Sequence, residues 1–197
     1  MNKWLIGLIV VGVFMFLGCI SIYNGMSNKE EIVFNAWGNL DAALQRRFDL
    51  IPNLVSTVKG YAAHEQKTLQ AVIDARSRVG SIQFDANQLG DEKAIAQFMA
   101  RQNQLQSAMH KLMVVVEAYP DLKANQNFLD LQHQLEGTEN RINYARNQMN
   151  TAVKEFNYSI RKFPNSMVNA MFGQLEKKCF FTASEEVKTA PTVSFKD

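Results

Sequence analysis

The chain opens with an uncharged run, WLIGLIVVGVFMFLGCISIY from Trp4 to Tyr23, and then changes character. At a helical rise of about 1.5 Å per residue this run reaches roughly 30 Å, the thickness of a bilayer's hydrocarbon core. Beyond it the apolar residues recur at steps of three and four, the period of an amphipathic helix and not of a strand. The first stripe is Val33, Trp37, Leu40, Leu44, Phe48 and Ile51. The second is Leu54, Val58, Tyr61, Leu69, Val72 and Val79. The third is Ile95, Phe98, Leu105, Met109, Leu112, Val116 and Tyr119. The fourth is the most regular: Phe128, Leu131, Leu135, Ile142, Ala145, Met149, Ala152, Phe156, Ile160 and Phe163. Its spacing is the heptad seam of a coiled coil or helical bundle. Gln102, Thr138 and Ser159 interrupt the last two seams, where polar groups cost stability but set register.

Punctuation divides the stripes into helices. Asp49 is a suitable N-cap with Pro52 in the first turn of a second helix, the alternative being one long helix with a proline inside it. Val79-Gly80-Ser81 ends that helix, 80–91 is a loop, and Asp91-Glu92 place acids at the next helix's N-terminus. Tyr119-Pro120 ends the third helix, and the fourth runs from near Asn125 to Phe163-Pro164. Gly60 and Gly137, inside helical patterns, point to close helix approach.

The expected fold is all-α. An N-terminal transmembrane helix (1–26) leads, without a break beyond Gly25, into an antiparallel bundle of about four long helices (27–164). A tail (165–197) folds back on the bundle as a short helix plus extended chain. Its Asn165–Phe172 stretch is rich in Met and Phe, and Phe180, Phe181, Val193 and Phe195 follow.

The same apolar start also fits a cleaved signal. Phe16-Leu17-Gly18-Cys19 resembles a lipoprotein box, in which Cys19 is lipidated and becomes the new N-terminus. A retained helix is the favoured reading, with Trp4 and Tyr23 as interfacial rings. Either way Cys19 is no disulfide partner, and Cys179, the other of the two cysteines, is expected as an unpaired, half-buried thiol. Lys3 on one side and Lys29 on the other specify orientation only weakly, leaning toward an extracytoplasmic bundle.

Composition narrows the function classes. About 170 residues beyond the anchor suffice for one domain with a core. Lys3 is one of 21 basic residues against 19 acidic ones, so the domain is near neutral and no basic field suits nucleic acid. His64, His110 and His133 fall on separate helices without ligand-spaced partners, and His64-Glu65 continues Lys67-Thr68, so HExxH fails. No phosphate loop, nucleophile elbow or paired catalytic carboxylates occur, and neither a metal nor a cofactor is implied. The expectation is a protein that is not an enzyme.

Two constellations stand out. One is Arg46, Arg47, Phe48, Asp49, Pro52 and Asn53, read as an ion pair and cap at a helix junction or as a partner-binding corner. The other is Asn143, Asn147, Asn150 and Asn157, with Lys154, an amide stripe on the fourth helix. Such a stripe is either a solvated face or one that packs on another helix or subunit without the desolvation cost of charges.

With these residues in view, the chain resembles the LemA family of bacterial membrane proteins. The likeness rests on QRRFDLIPNLVSTVKGYAAHEQKTLQAVIDAR (Gln45–Arg76), on INYARNQMNTAVKEFNYSIRKFPNSMVNAMFG (Ile142–Gly173) and on Ala190–Phe195. Asn147 and Gln148 depart from the more basic residues expected after Arg146. The resemblance implies an N-terminal membrane anchor and a long-helix bundle, in the bacterial inner membrane, and it does not imply an enzyme. It also implies a small N-terminus outside the cell, opposite to the charge vote, so topology stays open. The functional expectation is a membrane-anchored scaffold or adaptor that binds a protein partner or self-associates. A membrane-shaping or lipid-binding protein using the Met/Phe tail, and a lipoprotein with the same bundle, are the alternatives.

Overall fold

Helix α1, Lys3–Tyr61, is 59 residues long and carries the apolar run and the first bundle stripe in one piece. The structure is a computed structural model describing residues 3–82, 84–173 and 175–181. The chain continues through α2 (Gln66–Gly80), a 3-10 turn (Ala86–Gly90), α3 (Glu92–Val116), α4 (Pro120–Lys123), α5 (Gln126–Arg161), α6 (Asn165–Val168) and a π turn (Asn169–Gly173). All described elements are helical. The closing Ala190–Phe195 stretch, Val193 and Phe195 lie outside the described residues.

The first part of α1 is bare: Trp4, Leu8, Phe14 and Leu17 are all exposed, as is every other residue of the run before Cys19. By length and composition α1 is apolar enough to cross a membrane, which is compatible with a single-pass anchor and equally with a signal segment.

Caps fall where local chemistry places them. Asp91 Oδ1 accepts from the amides of Lys93 and Ala94 at 2.8 and 3.1 Å and starts α3. Asn125 Oδ1 accepts from Phe128 N at 3.1 Å and starts α5. The boundary expected at Asp49–Pro52 does not form. Pro52 lies inside α1, and Asp49 Oδ1 instead accepts from Gln45 Nε2 at 2.8 Å on the helix surface. Proline lacks the N–H that would bond the carbonyl four residues earlier. That carbonyl, on Phe48, accepts from Arg76 Nε of α2 at 3.1 Å, so the helix passes the proline without an orphaned acceptor. The second stripe is thus shared between the end of α1 and α2, and α2 is only 15 residues long.

α1 and α5 form the principal pair and run in opposite directions. Lys29 meets Glu155, Arg47 meets Glu139, and Tyr61 meets Asn125. The core divides into two clusters along this pair. The cluster next to the apolar run, labelled the membrane-end cluster for the anchor with which that run is compatible, is built on Met26, Val33, Trp37, Leu40, Leu44, Ile142, Met149 and Phe156. The distal cluster is built on Ile51, Leu54, Val58, Val72, Leu105, Leu112, Phe128 and Leu135, with α2 and α4 contributing. α2 stops at the border, where a Cβ on Gly80 would come 3.1 Å from the Phe48 ring. On the other side of that level the chain from Leu175 to Phe181 lies against α5 and the 3-10 turn, held by Asn150, Asn157 and the Leu89 carbonyl. Trp37, Phe84, Phe98 and Phe181 pack ring to ring there, with centroids 4.7 to 6.5 Å apart.

Two expectations about individual residues are overturned. Gly60 and Gly137 make no close approach: a Cβ at either would meet nothing within 4 Å. Phe163, placed on the fourth stripe, is 79% exposed because α5 ends at Arg161, before it.

Candidate interaction surfaces

Between the two clusters lies a polar layer. Arg47 of α1, Gln102 of α3 and Thr138 of α5 are buried at the level where each helix passes from one cluster to the other. Arg47 Nη1 donates to Glu139 Oε1 at 3.0 Å, Nη2 donates to Gln102 Oε1, and Nε has no partner. Thr138 satisfies itself by donating to Gln134 O at 2.7 Å. Removing one partner of such a pair leaves a buried charge uncompensated. The layer therefore locks three helices in one register. Of the junction constellation, Arg47 is buried and Phe48 is half-buried against α2. Arg46, Asp49, Pro52 and Asn53 are exposed, and Arg47 pairs with Glu139, 92 positions away, rather than with Asp49.

The amide stripe divides into two halves. Asn157 donates from Nδ2 to Lys178 O at 2.8 Å and accepts from Lys178 N at 2.9 Å. Asn150 does the same with Phe181, at 3.0 and 2.8 Å. The match is metric: seven helical residues rise about 10.5 Å, and three extended residues span about 10 Å. Asn169 grips Leu175 in the same two-bond way, at 3.0 and 2.9 Å. Lys178 adds an ion pair to Glu30 at 2.8 Å, and Phe181 fills the aromatic cluster. Asn143 and Asn147, by contrast, are exposed.

A third feature is a groove of about 1080 Å³ between α3 and α5 in the distal half. Met109, Met113, Val116, Phe128 and Leu135 form its apolar floor. The rim mixes the amides of Asn103, Gln106, Gln132 and Asn140 with the charged side chains of Lys111, Glu117, Lys123, Glu136 and Glu139. Nothing in the hydrophobic period announced it, because the same residues would read as a closed seam.

The fourth feature is the membrane end. Val168 is buried, whereas Phe163, Met167, Met171 and Phe172 around it are exposed. A Cβ on Gly173 would come 2.9 Å from Tyr23 Cε2, so the π turn rests directly on the end of the apolar run.

Titrating groups show no poised pair. Cys179 is half-buried, and its thiol is pushed up by burial and by the Glu92 and Asp91 carboxylates; Sγ donates to Gly90 O at 3.6 Å. Tyr119 is raised by donating its hydroxyl to Glu65 at 3.0 Å. Glu155 is lowered by Lys29. His64, His110 and His133 are exposed, and no cluster of metal-ligating side chains occurs among the described residues.

A long apolar leading helix running straight into a helical domain, closed by a gripped C-terminal segment, defines a class of helical proteins with an N-terminal apolar helix. The chain belongs to the LemA family, whose family model matches residues 36–195. Protein LemA of Metamycoplasma hominis is 25% identical over 135 residues, which cover 68% of this chain and 57% of that protein. The chain thus spans a little over half of that relative's length.

Proposed function

We propose that this protein is a membrane-anchored helical scaffold or adaptor that holds a protein partner, or a second copy of itself, on its bundle. The observation carrying this reading is the groove between α3 and α5, with its thioether and aromatic floor and its rim of amides and charges of both signs. Methionines adapt to irregular apolar partners, and a polar rim around an apolar floor is the usual anatomy of a protein interface. An amphipathic helix laid in such a groove would complete the seam that α3 and α5 leave open. In this reading α1, α2, α3 and α5 act as one antiparallel bundle, stiffened by the Arg47 layer, and no reaction is assigned to it. The anchor is α1 up to Tyr23, in the bacterial inner membrane with the bundle extracytoplasmic; a lipidated Cys19 would serve the same purpose.

The test uses the full chain in native membranes with a photo-crosslinking residue at Gln132. Heavier adducts from Gln132, absent from the same residue at Asn53 and lost when Met113→Asp is added, support the reading. Unaltered monomer from Gln132 and from a second groove position, Gln106, overturns it. Labelling of a cysteine at Asn53 from each side of the membrane reports the orientation.

A further inference from the structure

The membrane end of the molecule carries four large apolar side chains with no protein over them. Phe163, Met167, Met171 and Phe172 are 79%, 58%, 71% and 57% exposed. A patch of this kind on a soluble surface marks a binding site or a liability. Its position says which. Along the apolar run of α1, side chains stay uncovered until Cys19, Ile22 and Tyr23, which pack against the membrane-end cluster. The cover there comes from α6 and the π turn, with Val168 in the same buried cluster as Met26 and Gly173 against Tyr23. These elements therefore overlap the last turn or so of the run, about 6 Å along the helix axis. A segment level with the end of a bilayer-spanning run sits at the boundary between headgroups and acyl chains, the depth at which interfacial helices bury their apolar faces.

The surrounding chemistry agrees. Asn169 clamps Leu175 with two hydrogen bonds, which fixes the π turn and leaves Met171 and Phe172 outward. Of the acids nearby on α1 and α5, Glu155 pairs with Lys29 and Glu30 with Lys178, and the exposed Glu31 lies eight residues past Tyr23. Arg161, Lys162 and the Tyr158 ring stand exposed at the same end, suited to phosphates and the interface.

We propose that Phe163–Phe172 is a second membrane contact, a foot seated in the phospholipid interface beside the point where α1 leaves the bilayer. The inference rests on the anchored reading. With two contacts, the α1–α5 pair is braced and cannot swing about residues 23–26 as a tether would.

Depth measurement decides it. The full chain with Cys19→Ser and Cys179→Ser is reconstituted into phosphatidylethanolamine–phosphatidylglycerol vesicles. A nitroxide is placed at Ala170→Cys, at Leu8→Cys in the span, and at Asn53→Cys in the bundle. The expected result is a ratio of oxygen to nickel-chelate collision at position 170 several-fold above that at 53 and below that at 8. If position 8 is deep while 170 matches 53, the foot is overturned and the anchor stands. If position 8 is itself in water, the anchor and the foot fall together. Met171→Asp with Phe172→Asp, in a chain of unchanged helix content, should return the label at 170 to the aqueous value; no change would overturn the assignment of these side chains.

Discussion

Arg76 serves Phe48 twice: its Nε donates to the Phe48 carbonyl at 3.1 Å, and its guanidinium lies 3.9 Å from the centre of the Phe48 ring. The carbonyl is the one Pro52 leaves without a helical partner. Arg76→Ala should therefore cost about 2 kcal/mol, from an orphaned acceptor and a lost cation–π contact. In a Pro52→Ala background the helix supplies its own donor. The same substitution should then cost about 1 kcal/mol less. Denaturant unfolding of the four chains of this cycle in detergent measures the coupling; additive losses would contradict the account.

Breaking the Arg47 layer from its acidic side should be worse than replacing the whole of it. Glu139→Ala leaves a 3% exposed guanidinium with only Gln102, and a loss of about 3 kcal/mol is expected. Arg47→Met with Glu139→Leu should regain most of that loss, because no charge is then buried. Thermal unfolding followed by circular dichroism distinguishes the two, and the double variant should be the more stable chain.

Asn150 and Asn157 should govern the tail without governing the bundle. Asn157→Leu removes both bonds to Lys178, and the Lys178 amide should exchange with solvent at least tenfold faster, on the order of 1.4 kcal/mol of lost protection. Asn143→Leu, on the same stripe but exposed, should leave exchange at Lys178 and Phe181 unchanged. Hydrogen exchange read by mass spectrometry provides the comparison.

Gly137 is a glycine without a steric reason, at an open position inside α5. Gly137→Ala should stabilise the chain by up to about 1 kcal/mol through helix propensity and a less flexible unfolded state. A raised unfolding midpoint with an unchanged denaturant slope is the expected reading.

The Cys179 thiol should be sluggish. Burial and the Glu92 and Asp91 carboxylates raise its pKa, so the thiolate fraction at neutral pH lies below that of a free cysteine and grows only as the medium turns more alkaline. Iodoacetamide alkylation in the Cys19→Ser chain should run slower than in its urea-unfolded form at pH 7.5. Glu92→Gln should speed it by lowering the pKa. An unchanged rate in that variant would leave burial and Asp91 as the causes.

What was readable from the sequence was what is local. The stripes through Val33–Leu44, Ile95–Val116 and Phe128–Ile160 became buried faces because a 3.6-residue period needs no knowledge of the partner. Asp91 and Asn125 cap where they stand for the same reason. Pro52 was misplaced because the group that lets the helix continue through it comes from Arg76, on another helix. Asn150 and Asn157 were visible as a stripe. Their partners were not, since matching a seven-residue helical interval to a three-residue extended one requires knowing that the tail is extended. The groove between α3 and α5 was hidden because an open seam and a closed one share one apolar pattern.

The unbroken α1 acts as a ruler. From Tyr23 at the edge of the apolar run to Ile51, where the distal cluster begins, 28 residues of helix rise about 42 Å. In the anchored reading proposed above, and with no hinge along that length, a partner for the distal groove would have to meet it at one altitude. A soluble body standing close against the bilayer would fall short, whereas one projecting some 40 Å from the surface would arrive in register. A molecule so anchored would sort its company by height before any side chain is consulted.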